Sequence, residues 1–144
     1  MAHNRTTSAK SIVANLQRAP RLSELHPIAA RFVYSVRLMA LHERAGRDPV
    51  PELSSRLGSV DVAAKSLALA KTIMRCWPEN IHVSRFCCGL ISHDEVTIGG
   101  IVSSAVHRDY DAFVHCTHGL IRPDRAPALW EGCNDLVIAE LSAG

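Results

Sequence analysis

Phe86-Cys87-Cys88-Gly89-Leu90-Ile91-Ser92-His93-Asp94-Glu95 is the stretch that decides how this chain is read. Just upstream, Ile81-His82-Val83-Ser84-Arg85-Phe86 alternates apolar and polar side chains with period two, the pattern of a half-buried strand. Within the stretch, Ser92 stands three residues before Glu95, the spacing of a capping box. In that motif the hydroxyl accepts from the Glu95 amide, and the Glu95 carboxylate accepts from the Ser92 amide. An extended run, a turn with two adjacent thiols and a glycine, and a helix start are therefore predicted in that order. The run from Val83 to Leu90 reads as buried. A strand needs a partner, and no second convincing strand is visible. Residues 81–86 therefore either pair with their symmetry mate in a dimer or form an extended connector.

Outward from this junction, every periodic segment is helical. Upstream, Ser59 or Asp61 caps a helix to about Cys76, with Val62, Ala63, Leu67, Ala70, Ile73, Met74 and Trp77 on one face. Lys65, Lys71 and Arg75 lie opposite, and Pro78 stops it. Ala63, Ala64, Ala68 and Ala70 would admit a close neighbour, so this helix is expected at the centre of the core. Further upstream, Pro27 suits a first helical position, and apolar residues at 28, 29, 32, 33, 36, 39 and 40 make a wide buried stripe. Arg31, Arg37, His42, Glu43 and Arg44 are placed on the opposite face. Gly46 and Asp48-Pro49-Val50-Pro51 end this helix, and a short helical turn over 52–57 closes at Gly58.

Downstream, the helix from Ser92 runs toward Ala105 through Gly99-Gly100. Each glycine costs about 1 kcal/mol relative to alanine, so the pair predicts a kink or a close approach. Asp109 or Asp111 starts another helix through Cys116, ended by Gly119. Pro123, Asp124 and Pro127 mark a turn. The last helix, 128–141, buries Leu129, Leu136 and Val137, with Ile138, Leu141 and Trp130 beside that stripe. The expected fold class is mainly α: a single compact domain of about five or six helices with at most one short strand. The expected division is an N-terminal arm, 1–26, and a helical domain, 27–144.

Composition limits the function classes. At 144 residues the chain suits one domain with a real core. Its 47% hydrophobic and 21% charged residues are ordinary for a globular protein. Nothing approaches the ~18 uninterrupted apolar residues of a membrane span. A net charge of +2, with 16 cations spread among 14 anions, supplies no basic field, so a nucleic-acid partner is not expected. A helix-turn-helix over 52–76 would offer only Asp61, Lys65 and Ser66 for base reading, too thin a face. Five cysteines is an odd count. The first 20 residues lack the continuous apolar core of a secretory signal, so reduced thiols in a cytoplasmic compartment are expected. Residues 1–23 hold Arg5, Lys10, Arg18 and Arg21 and no acid. That start resembles a transit peptide in composition, but the reading taken is a polar arm with a short amphipathic turn at Ile12, Val13 and Leu16. It is expected to pack on the body or on a second copy.

Two chemistries compete with a structural role. Cys87, Cys88, His93, His107, His115, Cys116 and His118 crowd one third of the chain, and thiolate and imidazole are zinc ligands. His115 and His118 share a helical face at i and i+3, whereas adjacent cysteines diverge and make poor co-ligands. The candidate metal set is Cys87, Cys88, His93, His115, Cys116 and His118, with zinc as the ion. The other chemistry is a thiol enzyme or redox sensor, with Cys87 or Cys88 as nucleophile, activated by the helix N-terminus and by His93 or His107 as base. Against both, small buried hydrophobes and surface histidines are the common fate of these residues. Asp94 and Glu95 are explained by capping alone. His107-Arg108-Asp109 lacks every other protein-kinase element.

Val36-Arg37-Leu38-Met39, Leu67-Ala68-Leu69-Ala70, the β-like run ending in Cys87-Cys88, and Ser92-His93-Asp94-Glu95 occur in an order that resembles a small alphaproteobacterial family with a paired-cysteine motif. The resemblance covers about half the chain when aligned on helical periodicity. Family members tend to carry proline after the cysteines, where this chain has Gly89. The family has no assigned activity, and the resemblance implies a bacterial cytoplasmic origin. The function expected is a non-enzymatic cytoplasmic interaction or regulatory protein, homo-oligomeric, with a protein partner or itself as ligand and no cofactor. The alternative is a zinc-binding or thiol-dependent enzyme or redox sensor centred on Cys87 and Cys88.

Overall fold

The computed structural model describes residues 20–143, and the amphipathic turn expected at 12–16 and the docking of the arm's first 19 residues lie outside them. Six α-helices follow a short 3-10 turn at Leu22–Glu24: α1 Pro27–Arg44, α2 Val50–Leu57, α3 Val60–Cys76, α4 His93–Val106, α5 Tyr110–Thr117 and α6 Ala126–Ala143. The fold is mainly α, and no strand occurs among the described residues. Residues 81–86 are a connector, and among the described residues the single isolated β-bridge joins Arg21 to Leu90.

Local chemistry sets these boundaries. His26 caps α1 by accepting from the Ile28 amide at 3.1 Å, and Pro27 takes the first helical position, where no amide is needed. Gly58 ends α2 in the left-handed region at φ 72°, which a side chain would disfavour. Ser59 then caps α3 at once through the Val62 amide. The Ser92 capping box of α4 is complete in both directions. Asp109 caps α5, with its side chain accepting from Ala112. The last helix starts two residues earlier than expected, because Pro127 is tolerated in a first turn rather than forming part of the preceding loop.

The core is shared by α3, which packs on α1, α2 and α6, and α4. Ile98, Ile101 and Val102 are fully buried, and α4 packs on α1, α5 and α6. Gly99-Gly100 leaves α4 unbroken and works by close approach. A Cβ on Gly99 would lie 3.0 Å from a Leu25 methyl, and one on Gly100 would lie 3.0 Å from Cys116 Sγ. In α3, by contrast, only Ala63 and Ala70 of the four alanines are buried. Ala64, Ala68 and Met74 face solvent, and Ser66 and Leu69 take core positions instead. The seam with α6 captures them: a Cβ on Gly132 would lie 3.1 Å from Leu69. Ile138 and Leu141, expected beside the buried stripe of α6, point outward. Tyr110, Phe113 and Trp130 form a ring cluster with centroids 4.9 to 5.9 Å apart that closes α5 onto α6.

Candidate functional site

The junction at 86–95 is built around a residue that the helical pattern puts on the wrong side. Arg37 was expected on the outer face of α1, yet its side chain is 0% exposed. Ala29, Phe32, Val33, Ser35, Leu38 and His42 of the same helix are buried too. An arginine can sit there only if its N–H groups find acceptors and its charge is balanced. The junction supplies acceptors for four of the five N–H groups and a carboxylate for the charge. Arg37 Nε donates to Glu95 Oε2 at 2.7 Å and Nη2 to Oε1 at 3.1 Å, a bidentate pair. Nη1 donates to the Cys88 carbonyl at 2.6 Å and Nη2 to the Leu90 carbonyl at 2.9 Å.

The first turn of α4 ties down the rest of the connector. Glu95 Oε1 also accepts from the Ser92 amide at 2.9 Å, and the Ser92 hydroxyl donates to the His82 carbonyl at 2.5 Å. Asp94 accepts the His82 amide at 2.7 Å and the Trp77 indole N–H at 3.3 Å. Leu22 donates to the Gly89 carbonyl and Ile91 to the Pro20 carbonyl, so the chain before α1 clasps the same loop. Burial pushes the Glu95 carboxyl up, but hydrogen bonds from Arg37 and Ser92 outweigh it and hold it below the usual carboxylate range. These side chains are spent on holding irregular backbone that has no ladder of its own.

The predicted chemical residues are dispersed around this knot. Cys87 is exposed and Cys88 half-buried, on a turn closed by the Cys88 amide donating to the Arg85 carbonyl at 2.9 Å. The run from Val83 to Leu90 was read as buried. It is a surface segment instead, with Arg85, Cys87, Gly89 and Leu90 exposed, because Arg37 holds it by its carbonyls rather than by its side chains. His93 is exposed on the first turn of α4, and His107 caps the far end of that helix with Nδ1 on the Ser103 carbonyl. Fourteen residues of helix separate them by about 20 Å. His115 and His118 are exposed on and just after α5, while Cys116 turns inward against Gly100. Among the described residues, no three His, Cys, Asp or Glu side chains come together as a metal-holding group. Burial raises the thiols of Cys76 and Cys116 and pushes Cys133 up to about 12.

Two features escape the sequence pattern. His42, also assigned to the outer face, is buried between α1 and α2, where its Nε2 donates to Glu52 and its Nδ1 finds no hydrogen-bond partner among the described residues. The Glu52 carboxyl is held down by that bond and by one from Arg56. Arg56 also lies over the Phe86 ring at 5.4 Å, so α2 covers the last residue of the connector. The second feature is a surface groove of about 310 Å³ between α1, α3 and the connector, lined mainly by aliphatic side chains. Comparison with protein-family models, curated proteins and solved structures found no match to this chain.

Proposed function

We propose that the chain is a non-enzymatic interaction or regulatory protein of a bacterial cytoplasm, and that it works as a homo-oligomer joined through the outward faces of α3 and α6. The observation that carries this reading is the exposure of Val60, Ile138 and Leu141, between 61% and 71%. The two helices run antiparallel. Arg31 binds both the Leu57 carbonyl and the Glu140 carboxylate at one end, and Arg125 binds the Arg75 carbonyl at the other. Val60 and Leu141 therefore lie toward the same end.

The charges on the two faces are opposite. Exposed α3 residues include Lys65, Lys71 and Arg75 against Asp61, while exposed α6 residues include Glu131 and Asp135, and α6 carries no cation. A two-fold axis that lays α3 of one copy on α6 of the next would match apolar with apolar and cation with anion twice over. No helix among the described residues is long and apolar enough to cross a membrane. Engagement of Arg37, Ser92, Asp94 and Glu95 in structural bonds supports the non-enzymatic part. The exposed thiol of Cys87 favours a second reading, a thiol-dependent enzyme or redox sensor, which extends to zinc if the histidines contribute.

Sedimentation velocity tests the first reading. The wild-type chain should show a concentration-dependent dimer, and Ile138→Lys with Leu141→Lys should leave a folded monomer. A wild type that stays monomeric at every concentration overturns it. Elemental analysis of protein purified without chelator tests the second, since near-stoichiometric zinc would replace the non-enzymatic reading.

A further inference from the structure

The groove between α1, α3 and the connector has an aliphatic interior and an acidic mouth. Buried Ile73 and Ile98 form its floor, and half-buried Val36 and Ile81 stand in its walls. Two exposed acids also line it, Glu43 on α1 and Glu79 just after α3. Neither enters an ion pair among the described residues, and no Lys, Arg or His is among the lining side chains. Met39 and Met74 complete the apolar lining, and Met74 is 62% exposed. An unbranched thioether chain has three rotatable bonds and a polarizable sulfur, so it moulds itself to an apolar guest.

This lining selects the guest. The volume, about 310 Å³, lies at the small end of the range for a bound ligand, about 300–1,000 Å³, and leaves room for one short aliphatic chain. Each methylene drawn from water into the interior should tighten binding about fourfold. A cation heading that chain stops at the mouth, where it keeps most of its water and meets two carboxylates. An anion would meet two like charges there. A second cation at the far end would have to shed its water among the isoleucines.

We propose that the groove is a binding site for a small aliphatic amine charged at one end. The alkyl chain lies on Ile73, Ile98 and the two methionines, and the ammonium sits at the mouth beside Glu43 and Glu79. None of the residues assigned to self-association on α3 and α6 lines the groove, so the two readings stand or fall apart. A guest there touches α1, α3 and the connector at once, so binding couples the amine to the hold of the connector on the body.

Methyl NMR on the full-length chain, labelled with carbon-13 at the Met ε and Ile δ1 methyls, tests this with n-alkylammonium chlorides as probes. Octylammonium should shift Met39, Met74 and Ile81 saturably and leave Ile138, on the outward face of α6, in place. Affinity should rise about fourfold per methylene from butylammonium to octylammonium. At low salt 1-octanol should bind about fivefold more weakly than octylammonium, and octanoate more weakly still. Glu43→Gln with Glu79→Gln should erase the preference for octylammonium over octanol while octanol binds as before, which also shows that the groove is intact. Shifts that fail to saturate up to about 50 mM, several times the Kd of a weak nine-atom ligand, overturn the proposal. Equal binding of octylammonium and octanol by the wild type does so too, as does a shift of Ile138 in parallel with Met74. Tighter binding of 1,8-diaminooctane than of octylammonium would overturn the assignment to an amine charged at one end.

Discussion

Glu95→Gln removes one charge from the knot and almost no volume, and the structure sets its cost. The Arg37 guanidinium keeps its bonds to the Cys88 and Leu90 carbonyls, and the Gln amide oxygen can still accept one more. What is lost is the counter-charge to a cation with 0% side-chain exposure. Breaking a buried pair from one side costs about 3–5 kcal/mol, and the retained bonds place this variant near 3 kcal/mol. For a domain of ordinary stability, about 5–15 kcal/mol, that is a large share, equivalent to roughly 6–12 °C in Tm. Urea unfolding should show the midpoint falling with the slope unchanged.

The same pair sets a pH dependence. The folded Glu95 carboxyl lies below its ordinary value of 4.5, so its stabilisation is present above that value and is lost as pH falls through the lower folded one. The Gln variant should lack that loss. The double change Arg37→Met with Glu95→Met should cost less than the two single changes together. A Glu95→Gln variant within about 1 kcal/mol of wild type, with an unaltered acid limb, would refute the buried-pair account.

Three further outcomes follow from the packing. Gly132→Ala should destabilise by about 1–2 kcal/mol in thermal unfolding, because its new methyl meets the buried Leu69 and overpacking outweighs the gain in helix propensity. Asp94→Ala should cost about 1–3 kcal/mol by leaving the buried Trp77 indole N–H without an acceptor. It should also speed exchange of the His82 amide, whose acceptor is Asp94. Titration with a thiol reagent on the native protein should modify Cys87 first and Cys133 only on unfolding, since Cys133 is 0% exposed and its thiol is pushed up to about 12. Fast modification of Cys133 in the native state would contradict the burial of the α6 seam.

Helix ends were legible because they rest on near neighbours. Pro27, Gly58, Ser59, Ser92 and Asp109 act through backbone groups within a few residues, so residue type and spacing predict them. The outer faces of α1 and α3 were legible at Glu43, Arg44, Lys65, Lys71 and Arg75, which are exposed, but not at every position. Arg37 reads as solvent-facing because its balancing carboxylate is 58 residues away, and no local pattern announces it. His42 is hidden in the same way by Glu52, across the loop between α1 and α2. Met74, Ile138 and Leu141 fit apolar stripes on a helical wheel, but the wheel cannot say which arc of a wide stripe the neighbouring helix covers.

By itself the sequence determined that this is a helical protein, where most of its helices begin and end, and that Ser92 and Glu95 would open α4 as a capping box. Those outcomes depend on steric limits and hydrogen bonds spanning about four residues, which the order of side chains specifies directly. Only the tertiary structure decided that Gly99-Gly100 acts by close approach within an unbroken α4 and that 81–86 is a connector rather than a strand. It also decided that the paired cysteines sit on a surface turn clamped by a buried arginine. Each of those depends on which distant groups meet, and a buried charge is settled by the partner that packing brings to it rather than by its neighbours along the chain.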